Sequence, residues 1–254
     1  VDPLFSRYPM RSHRSDLTLT GTPSAVLAAL TDALSGCAVN VERRRRMSEL
    51  AQHAHAAVDT LRDKELGRDG PVTKTFLSAV IGKNLDADTT VFNEYWGVPP
   101  LLNRTKPGSY FFLPAAGGLG WALPAALGAC HASARPSVAL VGDGAYMFAN
   151  PAACHHASTK YDLPMLTVIA NNAAWGAVDR ATRGVYPQGE AAAQDDRRLA
   201  ELGPNPAFEA YCEASGGYGE CVRERGEFEP ALRRALHAVE HEGRQALLNV
   251  ICRD

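Results

Sequence analysis

The sequence predicts an α/β protein built on an open, doubly wound, mainly parallel sheet. Short uninterrupted apolar runs recur at Thr90–Asn93, Ser137–Val141, Met165–Ala170 and Ala246–Ile251, the pattern of strands buried on both faces. Longer stretches of helical character lie between them, over Val72–Ile81, Gly120–Ala132, Pro151–Lys160 and Glu229–Glu240. These strand–helix units are too few to close an eightfold barrel, and 254 residues are ample to bury a core.

Ahead of these units the chain has a different character. Asp16–Thr20 is a candidate strand and Pro23–Leu34 a helix that stops at Gly36. A lone strand–helix unit cannot cover both faces of a sheet strand, so residues 1–40 are expected to end another domain. Arg43–Leu66 reads as one long polar-faced helix ending near Gly67 and Gly70. That makes residues 41–70 a connector and 71–254 the main domain. Residues 184–206 carry Gly184, Pro187, Gly189, Gly203, Pro204 and Pro206 around the polar Gln194–Arg198, and are expected to form a surface excursion or lid.

Composition narrows the function. Against 28 Asp and Glu stand 26 Lys and Arg, a formal net charge of −2, which leaves no electrostatic footprint for nucleic acid. The basic run Arg43–Arg46 reads as a solvated helix face. With 46% apolar and 21% charged residues the chain is neither disordered nor collagen-like. No apolar run approaches the ~20 residues of a membrane span, and Val1–Met10, with Asp2 and Arg7, has no apolar signal core. The six cysteines, Cys37, Cys130, Cys154, Cys212, Cys221 and Cys252, form no CxxC pair. Reduced thiols and a cytoplasmic location are therefore expected.

The chemistry gathers at strand ends. Ser137–Val141 runs into Gly142-Asp143-Gly144, with a helix expected near Pro151. A strand, a glycine turn and a helix together present backbone N–H groups to a phosphate. The next strand ends in Asn171-Asn172. Neighbouring parallel strands would bring an Asp carboxylate and an Asn carbonyl to one crevice, and two hard oxygens beside a phosphate suit Mg²⁺. The adjacent His155 and His156 point about 100° apart on a helix, so both cannot face one site; they are expected to be structural or surface residues.

At this point the chain resembles the thiamine-diphosphate enzymes of the decarboxylase and acetolactate synthase superfamily, whose cofactor signature runs from GDG to a paired NN. The stretches Pro107-Gly-Ser-Tyr-Phe-Phe112, Ala115-Ala-Gly-Gly-Leu-Gly-Trp-Ala-Leu-Pro-Ala-Ala-Leu-Gly128 and Asn171-Asn172-Ala-Ala-Trp-Gly-Ala-Val178 are similar to the benzoylformate decarboxylase branch. The likeness covers about residue 71 to the C-terminus, and residues 1–35 resemble the tail of the family's middle domain. It implies thiamine diphosphate and Mg²⁺ as cofactors. Within the Gly142–Ala145 turn, Asp143 would bind the metal together with the Asn172 side chain and the Ala174 main-chain carbonyl. Gly144 and Ala145 would donate N–H groups to the diphosphate. The Gly117 carbonyl would take a hydrogen bond from the aminopyrimidine, and Leu119 would be the wedge that bends the cofactor. Backbone contact through Trp96 and Gly97 is implied too, although Tyr95-Trp96-Gly97 departs from the family's usual hydroxyl residues. Trp175, Val178 and Ala181 would line the substrate pocket, or Val178 and Ala181 would merely pack the helix. The position of Val178 is where the pyruvate decarboxylases carry a working Glu, so that mechanism is not expected. FAD binding cannot be read from these residues.

The resemblance also implies an activating glutamate on a separate pyrimidine-binding domain, which no segment of this sequence matches. The expectation is half of an active site on a lyase subunit for 2-oxo acids. A complementary chain carrying the pyrimidine-binding and middle domains would complete it, from a split gene or a cleaved precursor, in a heterotetramer or larger. The alternatives are an acetolactate synthase-like carboligase and a non-catalytic cofactor-binding scaffold.

Overall fold

The structure, a computed structural model, describes residues 16–17, 19–114, 116–133, 135–193 and 200–253. The chain divides into two compact units, Val1–Ala56 and Ala57–Asp254. In the first, α1 (Pro23–Leu34) starts where the Thr22 hydroxyl accepts the Ala25 N–H, with Pro23 in the first turn. No residue of α1 is buried. The helix α2 (Val41–Gly67) begins in this unit and crosses the boundary; Glu42, Arg45 and Glu49 pair along its exposed face. Of the strand expected over Asp16–Thr20, Thr18 lies outside the described residues, and the remainder forms no strand. Asp2 and Arg7 also lie outside them.

The second unit continues with α3 (Lys74–Asn84), β1 (Thr90–Asn93), α4 (Pro99–Leu102), β2 (Tyr110–Phe112) and α5 (Ala122–Ser133). There follow β3 (Ser137–Gly142), α6 (Asp143–Phe148), α7 (Pro151–Lys160), β4 (Leu166–Asn171), α8 (Gly176–Val185) and α9 (Glu190–Ala193). It ends with α10 (Phe208–Glu213), β5 (Tyr218–Val222), α11 (Arg225–Glu240) and β6 (Ala246–Ile251). The six strands form one sheet in the order β2-β1-β3-β4-β6-β5, every pair parallel.

Alternation along the strands feeds two cores. Val138 and Leu140 of β3 join Leu166 and Val168 of β4 beneath α3 and α11, whereas Ala139, Val141 and Ile169 pack with α5, α6 and α10. This double cover is why β3, β4 and β6 read as continuous apolar runs. The edge strands do not: β5 is mostly half-buried and pairs only with β6, and β2 has three residues and pairs only with β1. α11 starts ahead of the expected Glu229 because Glu224 and Glu227 form a reciprocal capping box. From β1 the chain moves to one side for β2 and returns to the other side for β3. That reversal opens a crevice at the carboxyl ends of β1 and β3, where open α/β sheets receive ligands.

All six cysteines are free, with Cys130, Cys212 and Cys252 buried. Among the described residues no helix is long and apolar enough to cross a membrane.

Candidate active site

A cavity of about 840 Å³ opens at this sheet edge, a size suited to a cofactor and a small substrate. Its wall combines Glu94 and Trp96 after β1, Gly117 and Leu119 before α5, Gly142–Ala145 after β3, and Asn172, Ala174 and the α8 residues after β4. The glycine turn is itself the helix start: α6 begins at Asp143, ahead of the helix expected near Pro151. Gly144 allows a close approach, since a Cβ there would fall 2.3 Å from Cζ3 of Trp175.

Asp143 is 2% exposed. Burial pushes its carboxyl group above the usual range; the Asn205 amide and the N–H groups of Gly144 and Ala173 draw it back. The Gly144 N–H is thus turned to the carboxylate, while Ala145 follows it in the cavity wall. Asn205 Nδ2 donates to Asp143 Oδ2 at 3.0 Å and to Asn171 Oδ1 at 2.5 Å. The paired asparagines divide their work. Asn171 is buried and donates to Asn249 Oδ1 at 3.0 Å, and Asn249 donates to Glu209, an amide chain that ties β4 to β6 and α10. Asn172 reaches the cavity wall, its Oδ1 accepting the Ala174 N–H at 3.2 Å.

The donor set suits a hard divalent cation. Asp143 supplies a carboxylate, Asn172 an amide oxygen and Ala174 a carbonyl, all at one cavity wall. Asn205 turns its Nδ2 to Asp143, and its Oδ1 is buried with no hydrogen-bond partner among the described residues. Gly117, Gly118 and Gly142 leave open space where a Cβ would stand, which makes room for a ligand against the backbone.

Leu119 is 39% exposed in the cavity wall. Gly117 has φ +67° and Gly120 φ +83°, and a Cβ on Gly120 would come within 2.6 Å of the Phe148 and Ala149 backbone. Only glycine fits that seat. After β4, Trp175, Val178 and Ala181 line the cavity with Arg180 and Thr182, whereas Asp179 is buried against Arg183 Nε at 2.8 Å. Trp175 stacks edge-on against Phe148, with ring centroids 5.3 Å apart.

Two expected contributors sit differently. Trp96 reaches the wall, but its ring belongs to the core. Gly97 does not line the cavity: its N–H donates to Asn93 Oδ1 at 2.9 Å and its carbonyl accepts from Asn93 Nδ2 at 2.8 Å. That side chain has already claimed the Gly97 N–H, the backbone donor a diphosphate would need there. His155 is buried between Tyr146 and Gln245, and His156 is exposed. The Gln245 oxygen, 2.6 Å from His155 Nδ1, places the proton on that nitrogen and leaves Nε2 to accept from the Tyr146 hydroxyl at 2.7 Å. Burial lowers the His155 pKa, against the opposing pull of Gln245.

Sequence reasoning missed Asn205, the clamp made by Glu94, and the contribution of Arg68, Thr73, Lys74 and Thr75 to the wall. Asn205 lies in the segment expected to be a surface excursion or lid, whose polar centre, Gln194–Arg198, falls outside the described residues. The Trp175 N–H bonds the Ala200 carbonyl and the Leu202 N–H bonds that of Ala173, which draws the segment after residue 199 against the site. Its Asn-Pro pair was the available signal.

Residues 95–250 match the family described as thiamine pyrophosphate enzyme, C-terminal TPP binding domain. The chain is 37% identical over 154 residues to benzoylformate decarboxylase of Pseudomonas aeruginosa, covering 59% of this chain and 26% of that one. It is 29% identical over 259 residues to the acetolactate synthase large subunit of Mycobacterium tuberculosis, covering 96% of this chain and 42% of that one. Among solved structures it is similar to the thiamine diphosphate-dependent 4-hydroxybenzoylformate decarboxylase of Rhodococcus jostii, with a TM-score of 0.60 and 25% identity over 72% of this chain and 33% of that one. The chain thus spans between a quarter and two-fifths of these curated relatives.

Proposed function

This chain belongs to the thiamine pyrophosphate enzymes through their C-terminal cofactor-binding domain, and on that premise we propose that it is the diphosphate-binding half of a Mg²⁺-dependent, benzoylformate decarboxylase-like lyase acting on 2-oxo acids. One observation carries the proposal: a single cavity joins the Gly117–Leu119 turn, the Asp143 turn, Asn172 and the α8 wall. Asp143, Asn172 and the Ala174 carbonyl would hold Mg²⁺, and Ala145 would donate its N–H to the diphosphate. The Gly117 carbonyl would orient the aminopyrimidine, with Leu119 setting the bend between the two rings. The chemistry the cofactor supplies when bound is stabilisation of a carbanion next to a former carbonyl. Trp175, Val178 and Ala181 would exclude water and shape the space for the acyl group. The activating glutamate would come from a pyrimidine-binding domain, which lies outside the residues assigned to this site. An acetolactate synthase-like carboligase shares this half of the site, and the alignment over 96% of the chain supports it as the second reading.

The test is calorimetric titration of the purified native assembly with thiamine diphosphate, followed by turnover of benzoylformate and pyruvate. Metal-dependent binding and decarboxylation of a 2-oxo acid are expected. Full affinity in EDTA would remove the metal bridge, and absence of binding under all conditions would remove the proposal.

A further inference from the structure

Glu94 follows β1 directly, its N–H held by the Leu140 carbonyl of β3 at 2.8 Å. It is 1% exposed, and its two carboxylate oxygens are both engaged. Oε1 accepts the Gly120 N–H at 2.7 Å and Oε2 the Ala122 N–H at 2.8 Å. These are short bonds to a charged-type acceptor in a buried setting, the strong class of hydrogen bond. Gly120 is also seated on the Phe148–Ala149 backbone, where no Cβ fits. On the other side of Leu119 the Gly117 N–H closes a turn on the Pro114 carbonyl at 2.9 Å, while a Cβ at Gly117 or Gly118 would meet no atom within 4 Å. Leu119 therefore projects into the cavity beside an anchor on its C-terminal side.

We propose that Glu94 is a positioning residue that sets the place of Leu119 in the cofactor cavity, a role that rests on the thiamine diphosphate assignment above. Its carboxylate spans two N–H groups across Trp121 and couples the end of β1 to the turn that carries Leu119. A carboxylate suits this task because both of its oxygens accept and neither donates.

Two substitutions remove one bond of this pair from opposite sides. Glu94→Gln turns an amide NH₂ toward one of the two donors. Ala122→Pro deletes a donor at the first residue of α5, where the proline backbone fits but its ring is added to a fully buried site. Each is made in the wild-type and in the Leu119→Ala background, and thiamine diphosphate affinity is measured with Mg²⁺ on the native assembly. Each substitution is expected to weaken binding about tenfold beside Leu119 and by far less in the Leu119→Ala background, because the anchor acts through that side chain. Amide hydrogen exchange at Leu119 and Gly120 should quicken in both variants, with β3 and β4 as protected as before. Equal losses in the two backgrounds would make Glu94 merely structural, and unchanged affinity or exchange would overturn the anchor. If one variant lost the protection of β3 and β4, the other would decide. If the unaltered assembly failed to bind thiamine diphosphate, the cofactor assignment would fall while the exchange data still judged the anchor.

Discussion

Gly144→Ala tests how tightly the Asp143 turn and the substrate wall are joined. The added Cβ would lie 2.3 Å from Cζ3 and 2.5 Å from Cε3 of Trp175. Ordinary carbon contacts begin near 3.5 Å, so the indole must shift by about 1.2 Å. The Trp175 N–H is bonded to the Ala200 carbonyl at 2.7 Å and the ring leans on Phe148, so the ring has to tilt while its backbone stays. Overpacking of this kind costs ~1–3 kcal/mol. Against it, replacing glycine inside a helix returns at most ~1 kcal/mol, and Gly144 is the second residue of α6. The net expectation is a loss of about 1 kcal/mol, equivalent to ~2–4 °C in Tm for a unit of this size. Thiamine diphosphate affinity should fall further, about tenfold, because the tilted ring intrudes on the cavity that Asp143 also lines. Urea denaturation gives the stability, and calorimetry the affinity. Trp175 emission, separated from that of Trp96 and Trp121 by a Trp175→Phe control, reports the tilt. A variant about 1 kcal/mol more stable than the parent, with unchanged emission and affinity, would show helix propensity acting alone and refute the reasoning.

Asp143→Ala should abolish Mg²⁺-dependent thiamine diphosphate binding and Asn172→Ala nearly so, measured by calorimetry on the native assembly, since each removes a hard-oxygen donor from a small set. Ala181→Phe should fill the α8 side of the cavity and shift the kcat/KM ratio toward small 2-oxo acids; an unchanged ratio would leave Ala181 as helix packing. His155 supplies a pH signature. Its folded-state pKa is depressed by burial, so the stability it contributes is present above its ordinary pKa of ~6.5 and is lost as pH falls through the folded value. Urea denaturation curves should therefore decline with falling pH more steeply in the parent than in His155→Gln, by up to ~1.4 kcal/mol per pH unit, and parallel declines would exclude His155 as the cause.

The sequence by itself determined the α/β class, the four inner strands and the GDG and NN strand ends, because these are local patterns that burial on both faces imposes. The boundaries of β1 and β6 agree with the expectation, and those of β3 and β4 lie within a residue of it. Helical geometry alone kept His155 and His156 from facing one site, and the fold decided that His155 is the buried one. What only the tertiary structure decided involves partners far apart along the chain. Glu94 meets Gly120 and Ala122 because β1 lies beside β3 and α5 packs over both. Asn205 meets Asp143 across 62 residues, through a segment whose composition signals a loop but not where the loop docks. Gly97, placed by likeness beside the diphosphate, has its backbone taken by Asn93, a local competition that residue identity does not reveal. The edge strands β2 and β5 escaped for a related reason: with one side open, their residues need not be uniformly apolar, so only strand pairing identifies them.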